Sequence, residues 1–350
     1  MNNLSLYGWN DRLFQLKHNS QYKHLFHGRV SAVNKTCYEV ITESGLLLCE
    51  LSGNALYSKS LFELPCTGDW VIYQPFESNK GIIVDILPRV RTLFRRKSGT
   101  VAERQAIASH VDKVFIVQSL DANFNVRRTE RFMVQILEEN IEPILILTKS
   151  DLGFNQAQVN ESLKHMASQA PVFFTSVFSP ETIRPVEKLI GPGETVVFIG
   201  SSGVGKSSLI NALCERTVFP TSETSKSTGK GRHTSTRREM VLMNGSGILI
   251  DTPGVREFGL AVDNPEVLSD IFDVSDFAGS CRFENCAHVN EPGCAVIGAV
   301  NNGDLALEVY NSYLKLRKES WHFSTSGHEK RKRDKSFSKI GEQAKRIKKR

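Results

Sequence analysis

Residues 194–214 read ETVVFIGSSGVGKSSLINALC. An apolar, β-branched run from Glu194 to Ile199 leads into a glycine-spaced loop, and Ser208 to Cys214 continues as a helix-like run. The loop, Gly200-Ser201-Ser202-Gly203-Val204-Gly205-Lys206-Ser207, fits the pattern Gly-x-x-x-x-Gly-Lys-Ser/Thr. Its glycines let backbone N–H groups converge on phosphate oxygens at a helix N-terminus, where the helix dipole favours anions. Lys206 is placed for β- and γ-phosphates and the Ser207 hydroxyl for Mg²⁺, with Ser208 behind them in the same cradle. Strand, loop and helix in this order predict a parallel α/β nucleotide-binding core.

Working outward, two further segments supply the rest of a nucleotide site. Thr148-Lys149-Ser150-Asp151 closes the apolar run from Pro143. The Asp151 carboxylate can accept from both N1–H and the exocyclic amine of guanine, a donor pair that adenine lacks, so the segment favours GTP over ATP. Thr148 stands where many GTP-binding proteins have Asn. Ser176, ending the run from Val172, is either a backbone contact to the base or a plain strand-end serine. Asp251-Thr252-Pro253-Gly254 follows the apolar Ile248 to Ile250. Asp251 can hold the Mg²⁺ shell, and Gly254 can give an N–H to the γ-phosphate. Between these lie the switch threonines of His233-Thr234-Ser235-Thr236, with Thr234 assigned to the nucleotide, in a Ser/Thr/Gly/Lys-rich stretch (221–238) that reads as a mobile loop. The order is unusual. The base-reading segment precedes the phosphate loop, as it does in a circularly permuted GTPase core that enters at its fourth strand, runs to its last helix, and returns to its first.

The flanking sequence suggests further domains. Phe26 to Val33, Cys37 to Thr42, Leu46 to Leu51, Trp70 to Tyr73 and Gly81 to Ile86 are strand candidates separated by turn residues. Five short strands suit an OB-fold or another small β-barrel. Arg89, Arg91, Arg95, Arg96 and Lys97 form a basic exit, either a solvated linker or an extension of a nucleic-acid surface. Alternating strand and helix patterns then run from Val111, with helices expected at Thr129 to Asn140, Gln156 to Ala170 and Val186 to Ile190, and strands at Thr236 to Met243 and Gly247 to Asp251. The expected fold class is multidomain α/β: residues 1–97 an N-terminal segment and barrel, 98–262 the permuted core with helices on both sheet faces, 263–325 a small helical zinc-binding domain, and 326–350 a basic, disordered tail.

Cys281, Cys286, His288 and Cys294 have the spacing C-x₄-C-x-H-x₅-C. Three thiolates and an imidazole make a closed tetrahedral set, the signature of a structural rather than catalytic Zn²⁺. Cys37, Cys49, Cys66 and Cys214 read as small buried hydrophobes. This cysteine distribution fits a metal site in a reducing compartment better than a disulfide framework, so the cytoplasm is expected. No apolar run reaches membrane-spanning length, the N-terminus has no secretory pattern, and no membrane partner is expected. The net charge of +6 hides an asymmetry: residues 328–350 carry eleven Lys/Arg against three Asp/Glu, leaving 33 basic and 35 acidic side chains elsewhere. Such a tail is either a solubilising end or a non-specific phosphate contact. A monomer is the default expectation.

Taken together, these residues resemble the circularly permuted, small-subunit-dependent GTPases called RsgA or YjeQ. The resemblance spans about residues 25 to 320. It is carried by the motif order, Gly231-Arg232-His233-Thr234, the run from Asp251 through Val255-Arg256-Glu257-Phe258-Gly259, and the Cys/His cluster with Glu291-Pro292-Gly293. It implies an OB-fold, GTP hydrolysis to GDP stimulated by the small ribosomal subunit, contact with that particle's rRNA, and a role late in its maturation. Where Ras-like proteins carry a water-orienting glutamine, this chain has Val255-Arg256, so slow intrinsic hydrolysis is expected. His233 either orients the water once the ribosome orders its loop or merely contacts RNA or solvent. An RNA-binding assembly module using GTP only as a switch ligand is the alternative from another class. A third, an ATP-dependent nucleic-acid enzyme, is disfavoured by Asp151.

Overall fold

The computed structural model describes residues 3–34, 37–53, 60, 62–77, 79–96, 104–220, 238–244, 247–252 and 264–324. The chain divides into two compact units, Met1–Gly259 and Leu260–Arg350.

In the first unit, β1 (Phe26–Val33), β2 (Tyr38–Thr42), β3 (Gly45–Leu51), β4 (Trp70–Pro75) and β5 (Lys80–Ile86) form a barrel in the order β1-β2-β3-β5-β4, with β4 closing back onto β1. β3 and β5 run parallel; every other barrel pairing is antiparallel. Alternation along each strand puts Val30, Val40, Cys49, Val71 and Ile83 into one apolar core. Of the cysteines read as buried, Cys49, Cys66 and Cys214 are; Cys37, at the mouth of the β1–β2 turn, is only half-buried.

The basic exit is where the sequence reading needs correcting. Arg89 is no solvated linker residue: its guanidinium holds the fully buried carboxylate of Asp69 at 2.8 and 2.6 Å, while Cys66 N donates to the same carboxylate. Arg91 pairs with Asp112 at 2.5 Å. β6 (Leu93–Arg96) and β7 (Arg104–Ala108) then form a two-stranded sheet that the charged side chains had disguised as linker.

The second sheet is built from β8 (Lys113–Ser119), β9 (Glu142–Thr148), β10 (Val172–Phe174), β11 (Thr195–Ile199), β12 (Glu239–Leu242) and β13 (Ile248–Asp251), in the order β10-β9-β8-β11-β13-β12. All neighbours are parallel except β12 and β13. The phosphate-loop strand β11 thus lies centrally although it comes fourth in sequence. Strands covered on both faces need apolar side chains at every position, which explains the unbroken runs VFIV, ILIL and VVFI. The helices are α2 (Val126–Glu138), α3 (Gln156–Leu163), α4 (Arg184–Glu187) and α5 (Lys206–Leu213). The helix expected to reach Ala170 gives way after Leu163 to a 3-10 turn, Lys164–Met166.

The two sheets meet edge to edge where Ala32 of β1 pairs with Glu239 of β12. Arg29 reinforces the join. It is 1% exposed, and its nitrogens donate to Gly68 O (3.0 Å), Tyr7 O (2.5 Å) and Thr195 Oγ1 (2.9 Å). Burial pushes its pKa down to about 10, with Asp112 and Asp69 opposing. Tyr7 ends an N-terminal 3-10 turn (Leu4–Tyr7), and α1 (Asp11–His18) succeeds it; Trp9 packs on Trp70 at 4.8 Å. Tyr7 and Trp9, in a segment silent as sequence, therefore brace the join between barrel and core.

The second unit is helical: α6 (Pro265–Ile271), α7 (Ser275–Ala278), α8 (Ala295–Asn302) and α9 (Leu307–Ser324).

Candidate active site and metal centre

β11 delivers Gly200 to a place where no other residue fits. Its φ is 153°, and a Cβ there would lie 2.3 Å from Val117 O on β8. Gly205, with φ 96°, is the cap from which α5 starts. Lys206 is 7% exposed and its ammonium holds Gly200 O at 2.8 Å and Ser201 O at 2.9 Å, leaving a third N–H for an anion. Burial lowers its pKa, and the Asp251 carboxylate opposes that shift.

Parallel pairing of β11 with β13, in register Phe198 with Asp251, places that carboxylate beside the loop. Ser207 Oγ lies 3.4 Å from Asp251 Oδ2. That separation is close to the ~3 Å edge of an octahedral Mg²⁺ shell, so the two oxygens fit one cation. Thr252 Oγ1 donates to Phe198 O at 2.6 Å and locks the strand end.

The base-reading segment is tied to the phosphate loop directly. Thr148 Oγ1, at the end of β9, lies 2.5 Å from Val204 O and 3.2 Å from Gln118 O. The hydroxyl thus bridges the two motifs. Lys149 adopts a left-handed φ of 61° and pairs with Asp121 Oδ2 at 2.7 Å. Bonds from Lys149, Ser119 and Asn123 outweigh desolvation and bring the Asp121 pKa down to about 2. Ser150 opens a 3-10 turn that carries Asp151. Ser176 Oγ donates to Asp151 Oδ1 at 2.5 Å, while the Ser176 N–H is given to Thr182 Oγ1. Its hydroxyl, not its amide, is what faces the base-reading carboxylate. His233, Thr234 and Gly254, like the basic tail from 326 onward, lie outside the described residues.

Asp121, Gln118 and Arg128 touch the motif residues Lys149, Thr148 and Ser201, contacts that were not legible in the sequence because they form only in the fold and none of the three belongs to a motif. A cavity of about 340 Å³, lined by residues including Arg29, Trp70 and Thr195, lies at the opposite end of β11. Its buried arginine already donates to three protein oxygens.

In the second unit, the ligand atoms of Cys281, Cys286, His288 and Cys294 all lie within 4.8 Å of one another. Cys281 Sγ and Cys294 Sγ are each 3.5 Å from His288 Nδ1 and 3.9 Å apart. Zn–S bonds of ~2.3 Å and Zn–N bonds of ~2.0 Å in a tetrahedron require edges of about 3.8 and 3.5 Å, so Cys281, His288 and Cys294 already stand at zinc-binding separations, and the widest spacing in the set, 4.8 Å, closes by about 1 Å around the ion. The knuckle is held from outside. Glu291 accepts from Ala287, Val289 and Asn290 N–H groups, Tyr310 OH donates to His288 O at 2.6 Å, and Arg317 donates to Ala287 O.

An OB-like barrel joined to a parallel sheet whose phosphate loop comes after its base-reading strand defines a circularly permuted P-loop GTPase. Comparison with known proteins agrees. A model of the RsgA GTPase family matches residues 86–261. The small ribosomal subunit biogenesis GTPase RsgA 1 of Bacteroides thetaiotaomicron is 64% identical, covering 99% of this chain and 98% of its own. The RsgA of Methanosarcina acetivorans is 38% identical over 91% of this chain and 85% of its own. The crystal structure of YjeQ from Thermotoga maritima aligns with a TM-score of 0.61 at 26% identity, covering 85% of this chain and 98% of that one. This chain belongs to the RsgA GTPase family.

Proposed function

We propose that this protein hydrolyses GTP to GDP and phosphate, that the small ribosomal subunit stimulates the reaction, and that the protein assists late maturation of that particle. What supports the reading is that Ser207 and Asp251 lie side by side next to Lys206, and that Thr148 ties the Asp151 segment to the same loop, with the motifs in permuted order. That the relatives are small ribosomal subunit biogenesis GTPases supports the partner.

Asp151 reads guanine, held in place by Ser176. Amides of residues 200–208 cradle the phosphates, and the third N–H of Lys206 meets the β/γ oxygens. Mg²⁺ held by Ser207 and Asp251 would neutralise charge developing between those phosphates. Gly254 and Thr234 sense the γ-phosphate. Val255 cannot orient water, so intrinsic turnover is slow, and His233 supplies that role on the ribosome. Zinc held by Cys281, Cys286, His288 and Cys294 is structural and leaves no open position. The division of labour is residues 1–97 for the N-terminal segment and barrel, 98–262 for the GTPase, 263–325 for the zinc domain and 326–350 for a basic tail, with rRNA met by the barrel and tail. The protein acts as a monomer in the cytoplasm. Among the described residues no helix is long and apolar enough to cross a membrane.

The test is phosphate release from GTP, with ATP as control, with and without purified small subunits. GTP-selective turnover that rises with subunits is expected. Turnover indifferent to subunits, or equal with ATP, refutes the reading.

A further inference from the structure

We infer that Arg128 is a positioning residue of this site, fixing the Ser201 side of the phosphate loop and bringing a second positive charge to its γ-phosphate end. The inference rests on the GTPase reading above and goes beyond the motif residues.

Arg128 sits in the first turn of α2, and its backbone N–H is capped by Asn125 Oδ1 at 3.0 Å. With the main chain so anchored, the side chain crosses to the phosphate loop: Nη1 lies 3.1 Å from Ser201 Oγ and 3.3 Å from Asn123 O. On the other side of the same residue, Ser201 O receives the Lys206 ammonium at 2.9 Å. Ser201 is therefore held between two cations, one of which is the group that meets β- and γ-phosphates. The arginine donates to the serine oxygen, so the serine's own proton remains to be given elsewhere, and a hydroxyl that accepts from a cation is a stronger donor. The segment carrying Arg128 also grips the far end of the site through Asp121 and Lys149, at 2.7 Å. One short stretch, 121–128, thus fastens both the base-reading and the phosphate-binding motifs, and Arg128 is its phosphate-side anchor.

A residue that merely stiffened the loop would affect all nucleotides alike. A charge at the γ end discriminates GTP from GDP, and that difference is the readout. Affinities for GDP and a non-hydrolysable GTP analogue, and subunit-stimulated turnover, are measured for the wild type, Arg128→Ala, Arg128→Gln, Arg128→Lys, Ser201→Ala and the Arg128→Ala/Ser201→Ala double variant. For Arg128→Ala we expect analogue affinity to fall about 3–10-fold more than GDP affinity, and kcat to fall about 10–100-fold, in the range that small misplacements of reacting groups produce. Arg128→Lys restores most of the selective loss; Arg128→Gln, uncharged but able to donate, does not. Ser201→Ala reproduces the effect on kcat, and the double variant is no worse than the single ones. Equal weakening of both nucleotides, unchanged kcat in both Arg128→Ala and Arg128→Gln, or multiplying losses in the double variant overturns the inference. Should wild-type protein fail to turn over GTP with subunits, the hydrolase reading falls by itself, and the affinity ratio still judges Arg128.

Discussion

Replacing Asp151 by Asn tests the base-reading geometry at nearly constant volume. A carboxylate can accept from both guanine donors, and a hydrogen bond to a charged group contributes about 1.5–3 kcal/mol. In the fold, Ser176 Oγ donates to Asp151 Oδ1 at 2.5 Å. That donor dictates how an asparagine must sit, because the amide oxygen is drawn to Ser176 and the amide NH₂ is turned to the base. Guanine's N–H donors would then meet another donor. Because Asp151 is exposed, the loss belongs toward the lower part of that range, about 1.5–2 kcal/mol, or roughly 10–30-fold in Kd. Xanthine carries a carbonyl in place of the exocyclic amine and can accept from the same NH₂. Calorimetric titration with GDP and xanthosine diphosphate should therefore show the preference reversed in Asp151→Asn. Adding Ser176→Ala frees the amide to flip and should return part of the guanine affinity. Guanine binding by Asp151→Asn equal to wild type, or no gain for the xanthine nucleotide, would refute the reasoning.

Thr148→Val removes the hydroxyl that bridges to Val204 O and leaves a buried carbonyl without its donor, at a cost of about 1–3 kcal/mol; GDP affinity should fall about 10-fold while far-ultraviolet circular dichroism is unchanged. Asp69→Ala strands the Arg89 guanidinium against the barrel and should lower stability by about 3–5 kcal/mol, read from the barrel's urea midpoint. Metal analysis should return one zinc per chain, and Cys294→Ser should abolish it while GDP binding by the first unit persists. Burial, assisted by Arg29, lowers the His110 pKa to about 4 from 6.5. The unfolded chain therefore takes up this proton first, so His110 costs nothing above pH 6.5 and destabilises progressively from there down to about pH 4. The full loss is about 3 kcal/mol, and His110→Gln should flatten urea midpoints across that window.

The parallel sheet was legible because strands buried on both faces leave uninterrupted apolar runs, and the phosphate loop because its glycines are sterically compulsory. The metal set was legible because its four ligands lie within one short segment. What stayed hidden are partnerships between residues distant in sequence. Arg89 looks like any linker arginine until the fold brings Asp69 to it. Arg95 and Arg96 conceal a strand because β6 pairs through backbone groups that composition does not reveal. Asp121 and Arg128 have no motif around them, and Arg128 reaches Ser201 across 73 positions. The N-terminal segment gave no signal because its bond to Arg29 comes from Tyr7 O, a backbone oxygen that any residue would have supplied, and the partner of Trp9, Trp70, is sixty-one positions away.

The inverted motif order also has a consequence during synthesis. β8, β9 and β10 leave the ribosome well before β11, yet β11 is the strand that pairs with the far side of β8. At typical elongation speeds roughly eighty residues separate the two events by about 4–16 s. Throughout that interval the nascent chain presents one side of an apolar strand with nothing beside it, a template for unwanted pairing. A protein so arranged depends, at birth, on whatever shields emerging chains, and slowing translation between Ser119 and Thr195 should raise the fraction that aggregates.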